Sequence, residues 1–196
     1  RDPNDLRNNF YQRIMAKYVL IHREKSIYTP TEKLIDYGVF NLKYNHNKSE
    51  LLSHKGFNTD LQFSKNFGKV SVETSYRYLF TTNQQFHVRL FAGSFLYRNI
   101  NHSFFDFALD RPTDYLFEYN YYGRSESTGI YSQQIIIAEG GFKSKLRTPF
   151  ANQWLTTANF GFNVWNWFEL YGDVGVVKNQ YQSAEFLYDS GVRISL

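Results

Sequence analysis

The chain contains no cysteine, which removes any disulfide framework and any thiolate metal site. Long apolar runs are missing as well. The longest plainly aliphatic stretch is Ile135–Ala138, whereas a membrane-crossing helix needs ~18 consecutive apolar residues. Signatures of chemistry are equally scarce. None of the histidines His22, His46, His54, His87 and His102 belongs to a His-Glu-x-x-His sequence, and no two stand at i, i+4. His46 and His54 flank residues 47–53, where a hairpin would bring them near each other, but loop histidines are usually solvated. Asp2, Asn4 and Asp5 resemble the opening of a calcium loop without the Gly and Glu that should follow. Gly-x-Ser-x-Gly is absent, and Gly123–Gly129 reads as a polar loop. Gly140-Gly141 lacks a phosphate-loop pattern and marks a bulge or a close backbone approach. No initiator Met or signal peptide opens the chain, and Val192–Leu196 alternates as a strand does. The chain therefore reads as a piece of a longer exported protein.

Aromatic residues, by contrast, are abundant: 19% of the chain, with 16 Tyr and 19 Phe. They fall into period-two patterns. Phe57, Thr59, Leu61 and Phe63 alternate with Asn58, Asp60, Gln62 and Ser64. After a tight turn at Asn66–Lys69, Val70, Val72, Thr74, Tyr76 and Tyr78 alternate with Ser71, Glu73, Ser75 and Arg77. Similar alternation runs through 115–121, 154–164 and 168–177. Segments of about ten residues with one apolar and one polar face have the length and pattern of membrane-barrel staves. A soluble sandwich alternates too, but buries its apolar face and keeps the polar one outside. The mean hydropathy of −0.50 is compatible with a barrel, because polar lumen and loop residues cancel the lipid face in any average. The net charge of +4 comes from scattered Lys and Arg. Tyr76-Arg77-Tyr78 and Tyr97-Arg98 are explained by strand periodicity, so no nucleic-acid partner is expected.

These patterns predict an all-β fold, a transmembrane antiparallel up-and-down β-barrel. Residues 1–9 form a polar lead-in and 10–196 the barrel segment, truncated at both ends. Strands are expected at 10–22, 34–45, 56–67, 69–80, 86–97, 103–109, 115–122, 132–146, 152–165, 168–178 and 184–196. That is a fragment of about 11 strands; bacterial single-chain barrels have even numbers, so 12 or more are expected in the full protein. The tight connections Asn66–Lys69 and Trp165–Trp167 are expected together at a short-turn, periplasmic end. This requires 103–109 and 115–122 to be separate strands turned around Pro112. The longer connections His46–Lys55 and Asn179–Glu185 then share the other end. The inward face is expected to carry Asp60, Glu73, Arg77, His87, Arg89, Glu118, Glu169, Asp173, Asp189 and Arg193. Both signs occur, and desolvated charges are costly unless paired or wet, so a structural polar network across the lumen is expected. Glu73, Arg77 and Arg89 should be linked within it. A permeation or binding site is the sharper alternative.

One part of the chain has a more specific wording. Asp106–Tyr115 leads to Tyr122-Gly123-Arg124-Ser125-Glu126, Ser132-Gln133-Gln134 and Ala138-Glu139-Gly140-Gly141-Phe142-Lys143-Ser144. Ala151-Asn152-Gln153-Trp154, Trp165-Asn166-Trp167, Tyr171–Gly175 and Tyr188–Arg193 continue it. This resembles the C-terminal barrel portion of large Bacteroidota outer-membrane proteins whose N-terminal half is an aminopeptidase-N-like (gluzincin) zinc metallopeptidase. The resemblance covers most of the chain after about residue 27. It implies an outer-membrane location and a neighbouring, metallopeptidase-associated domain. The family's zinc motif lies in that other half, so no catalytic, metal or cofactor-binding residue transfers here, and any zinc belongs upstream.

The expected function is a membrane anchor that holds a peptidase-like domain or a multiprotein assembly at the bacterial outer membrane, with no enzyme site in this segment. Its partners would be outer-membrane lipid and other outer-membrane or periplasmic proteins. The alternative is a transport barrel, a pore or transporter subunit passing a solute through its polar lumen. A soluble all-β binding domain is the third reading.

Overall fold

The computed structural model describes residues 9–23, 36–82, 84–100, 102–111, 113–118, 138–165 and 167–194. Its strands are β1 (Asn9–Ile21), β2 (Tyr37–Ser49), β3 (Ser53–Ser64), β4 (Phe67–Thr81), β5 (Gln84–Arg98), β6 (Phe107–Ala108), β7 (Phe150–Ala151), β8 (Trp154–Trp165), β9 (Phe168–Lys178) and β10 (Glu185–Ile194). Eight of them form one sheet in the order β1-β2-β3-β4-β5-β8-β9-β10, antiparallel throughout. β6 and β7 pair only with each other. Phe, Val, Tyr and Leu are the commonest residues of the sheet strands, and the aromatic and β-branched ones among them pack well on a pleated surface. The all-β, antiparallel class is therefore as expected. The sheet is not closed: β1 and β10 are its two edges.

The expected strand count fails at one place. β5 pairs directly with β8, with Phe86 opposite Phe162 and Ser94 opposite Trp154, so 99–153 is an insert between sheet neighbours, and its described residues lie outside the eight-stranded sheet. Among its described residues, Ser103–Phe105 is a 3₁₀ turn and only Phe107–Ala108 and Phe150–Ala151 are extended and paired, with each other. Phe105, Asp106, Phe107, Ala108, Leu109 and Asp110 are all buried in succession. A stave would alternate; a segment packed on every side does not. At 115–122, Tyr115 and Leu116 are both buried and Phe117 takes φ 53. That left-handed conformation ends any strand, and Asp114 Oδ1 accepts the Glu118 N–H at 2.8 Å to hold the turn. Residues 138–146 contain no strand. Pro112, residues 119–122, Gly123–Gly129 and 132–137 lie outside the described residues.

Without those extra staves the turn parity changes. Residues 50–52, 82–83 and 166–167 connect strands at one end, the short-turn end. Residues 22–36, 65–66, 99–153 and 179–184 connect them at the other. The two tight connections at 66 and 166 thus lie at opposite ends, as do the hairpin around 50–52 and the link at 179–184.

The insert lies on one face of the sheet. Phe107, Leu109 and Phe142 pack with Phe91, Leu155, Val177 and Leu187 of β5, β8, β9 and β10. Phe105, Tyr115 and Leu116 pack with Tyr37, Val39 and Phe67 of β2 and β4. Side chains this large gain about 1.5–3 kcal/mol each on full burial. This is the covered face. The opposite, open face presents Ile14, Tyr18, Phe40, Phe63, Val72, Leu90, Phe160, Leu170, Val174, Tyr188 and Val192, all exposed. By register, the formally charged residues of the open face are Lys48, Lys55 and Lys178 alone among the described strand positions.

Candidate functional site

The covered face carries the polar groups, and strand register explains how they meet. Ser75, Arg89, Asn159, Asp173 and Asp189 stand in one row across β4, β5, β8, β9 and β10. Antiparallel partners share a face, so this row points wholly toward the insert. Arg89 Nε and Nη2 donate to Glu73 Oε2 at 2.9 and 2.6 Å, and Nη1 donates to Asn159 Oδ1 at 3.0 Å. Asn159 Nδ2 donates to Asp173 Oδ1 at 3.0 Å. Asp173, fully buried, accepts from Lys143 Nζ of the insert at 2.9 Å. Asp189 Oδ2 accepts the backbone N–H groups of Lys143 and Ser144 at 3.1 and 2.8 Å.

The insert reciprocates with carboxylates on the other side. Lys69, 2% exposed, pairs with Glu139 at 3.0 Å and donates to the Phe105 carbonyl. Glu139 also accepts the Ala108 N–H at 2.8 Å, and its backbone carbonyl accepts from Arg89. Glu118 is gripped by Lys17 and Lys43. Burial pushes the Glu118 carboxyl up, but these two ammonium groups outweigh it and hold the group below its ordinary range. Asp106 is shifted the other way: burial raises it, although Arg98 bonds it at 2.7 Å. The charges are sorted in space. Basic residues of β1, β2, β4 and β5 face acids of the insert, and acids of β9 and β10 face its Lys143.

Two glycines allow this close approach. A Cβ on Gly140 would stand 2.7 Å from the Leu109 backbone, and Gly141 has φ 76 and abuts Arg89 and Asn159. Gly140-Gly141 is thus a close backbone approach, as its sequence suggested. Between the insert and β2–β5 a cavity of about 250 Å³ remains, lined by Lys43, Asp60, Glu73, Arg89, Glu118 and Glu139 among others. Its charges pair with one another, and its polarity suits water.

Asp60, Glu73, Arg77, His87, Arg89, Glu169, Asp173, Asp189 and Arg193 all lie on the covered face by register. Glu118 reaches it from the insert rather than from a strand. Arg77 is the exception to the expected network. It is exposed at the short-turn end, opposite His54 and His87, with no ion pair among the described residues. Glu169 forms a separate group there, taking Arg193 Nε at 3.1 Å and lying 3.6 Å from His87. His46 and His54 point to opposite faces: His46 meets Phe10 and Gln12, and His54 bonds Ser49. Among the described residues no group of His, Asp and Glu is arranged to hold a metal, and no helix is long and apolar enough to cross a membrane.

Lys17, Lys43, Lys69, Glu139 and Lys143 were not singled out from sequence, yet each anchors the insert. For Lys69 the signal was present. It stands four residues before Glu73, hence on the same face of β4, at the point where the expected turn and the expected strand 69–80 overlap. No protein-family model, curated protein or solved structure matches the chain.

Proposed function

We propose that this chain is a closed-lumen outer-membrane β-barrel segment that serves as an anchor rather than as a pore. The observation that carries the reading is the inverted arrangement of the two faces. A soluble sheet covers its apolar face and shows its polar one to water. Here the polar face is packed under the insert and the apolar face is bare. Lipid is the solvent that such a face requires, and the confinement of its charges to three lysines near strand ends fits a bilayer's polar rims. Exposed Trp165, Trp167 and Phe168 at one end and Trp154, Phe186 and Tyr188 toward the other suit interfacial aromatic belts. Closure into a barrel would remove the free edges of β1 and β10.

The ion-paired insert favours the anchor over the transport alternative, since a solute would have to displace both buried apolar clusters. The resemblance to Bacteroidota proteins with an aminopeptidase-N-like half supplies the proposed cargo, a peptidase-like domain or assembly. Its zinc chemistry would lie outside residues 1–196. Reconstitution into planar bilayers tests the reading: inserted protein should be electrically silent. Stepwise single-channel conductance would favour transport, and release from membranes into detergent-free buffer would eliminate the barrel.

A further inference from the structure

Two of the three open-face charges meet each other. Lys48 on β2 and Lys55 on β3 are direct register partners, and both are exposed. Like charges directly opposite on neighbouring strands are unfavourable. The same row places Phe10 beside Lys48 and Tyr76 beside Lys55, so two aromatic rings bracket the lysine pair. Lys55 Nζ lies 5.8 Å from the Tyr76 ring centroid. One carboxylate serves the pair: Glu50 bonds Lys48 at 2.7 Å and also accepts from the Ser53 hydroxyl at 2.9 Å. Lys55 has no ion pair among the described residues. The row adjoins the hairpin at 50–52, where Leu51 and Leu52 are exposed, and below it the open face is apolar, with Tyr44 and Phe57 in edge contact at 6.3 Å.

We propose that Lys48 and Lys55 form a binding site for the phosphate of an anionic phospholipid headgroup, with its acyl chains lying along Tyr44 and Phe57. Two ammonium groups against one carboxylate leave a positive charge that needs an anion at this depth. A bilayer places phosphates where its apolar band ends, and basic side chains reach them along their own methylene stems. A zwitterionic headgroup brings its own ammonium and leaves the local charge uncompensated, which selects a lipid with net negative charge. The inference rests on the membrane reading above.

The test is spin-label electron paramagnetic resonance on residues 1–196 in phosphatidylcholine vesicles, with labelled phosphatidylglycerol or labelled phosphatidylcholine as probe. The wild-type chain should hold phosphatidylglycerol in preference. Lys55→Gln should reduce that preference roughly fivefold, the loss of one interfacial basic residue. Lys48→Gln, Lys55→Gln together should abolish it, and Lys178→Gln, at the opposite rim, should leave most of it. Equal retention of both probes by the wild type, or a preference unchanged in the double variant, would overturn the site. Displacement of the labelled lipid by millimolar inorganic phosphate would reassign it to a free anion and overturn the lipid assignment. Failure to insert into the vesicles would sink the membrane reading itself, a result distinguishable from loss of lipid preference.

Discussion

The open and covered faces are built by the same strands, in places by adjacent residues, and they follow opposite rules. On β9, Asp173 is wholly buried and bonded to Lys143 and Asn159, while Val174 beside it is bare. On β4, Glu73 is held by Arg89, while Val72 is exposed. The covered face tolerates charge because its buried charged groups find partners, Lys69 and Asp173 in the insert and Glu169 in Arg193 of the next strand. The open face has no such partners and excludes acids altogether among the described strand positions. What distinguishes the faces is therefore less their hydrophobicity than who satisfies their polar groups. One face is covered by the described residues of the insert, and the other is bare.

Breaking the covered face should have the largest effect. Glu139→Ala leaves the Lys69 ammonium, 2% exposed, without its carboxylate inside the insert contact, and orphaning a buried charge costs about 3–5 kcal/mol. Urea unfolding in detergent, followed by the fluorescence of the Trp residues, should report it; a loss below about 1 kcal/mol would mean that water reaches this pair freely. On the open face, Val174→Arg should cost about 2–4 kcal/mol in a bilayer if the site lies near mid-depth. The folded fraction in vesicles reads this out, and an unchanged fraction would mean that the open face does not meet lipid.

Acid provides a finer probe of the insert. The Glu118 carboxyl titrates below its ordinary value, so its stabilisation is complete above the pKa of the unfolded chain and is lost as pH falls through the lower, folded one. Glu118→Gln should remove about 1 kcal/mol at neutral pH and flatten the stability profile in the acid range; unfolding curves at several pH values would reveal an unflattened profile if Lys17 and Lys43 are otherwise neutralised. The smallest effect belongs to Arg77→Ala, expected within about 0.5 kcal/mol in the same urea assay, because this exposed side chain has no ion pair among the described residues.

The sheet was legible because period two is a backbone property that burial rewards on one side only. The alternation at 57–80 and 154–178 separates Val72 from Glu73 and Asn159 from Phe160, and the strand register puts Glu73, Asn159 and Asp173 on one face and Val72 on the other. The insert was not legible for the converse reason. Tyr115 and Phe117 alternate with Leu116 and Glu118 as in a strand, yet a left-handed Phe117 and the Asp114 turn dictate the path. At 105–110 successive residues are buried whatever their polarity, and no period records that. The acids and bases of the network were found where they sit on strands; their partners were missed where they come from the insert, since pairing across distant segments leaves no spacing to read.

The junction between β5 and β8 has a consequence in time. β1–β5 form by local hairpins apart from the link at 22–36, and β8–β10 likewise pair with sequence neighbours. The β5–β8 ladder instead closes over residues 99–153, and loop-closure entropy must be overcome before its contacts contribute. Those same residues hold Phe107, Leu109 and Phe142, which bridge β5 to β8, β9 and β10. Docking of the insert and joining of the two meanders are thus one event and the slow one. Phe142→Ala should lower the refolding rate more than it raises the unfolding rate. Until that event, β5 and β8 are two unpaired edges, so the kinetic hazard of this chain, and the point where a folding assistant would act, is the middle of the sheet and not only its ends.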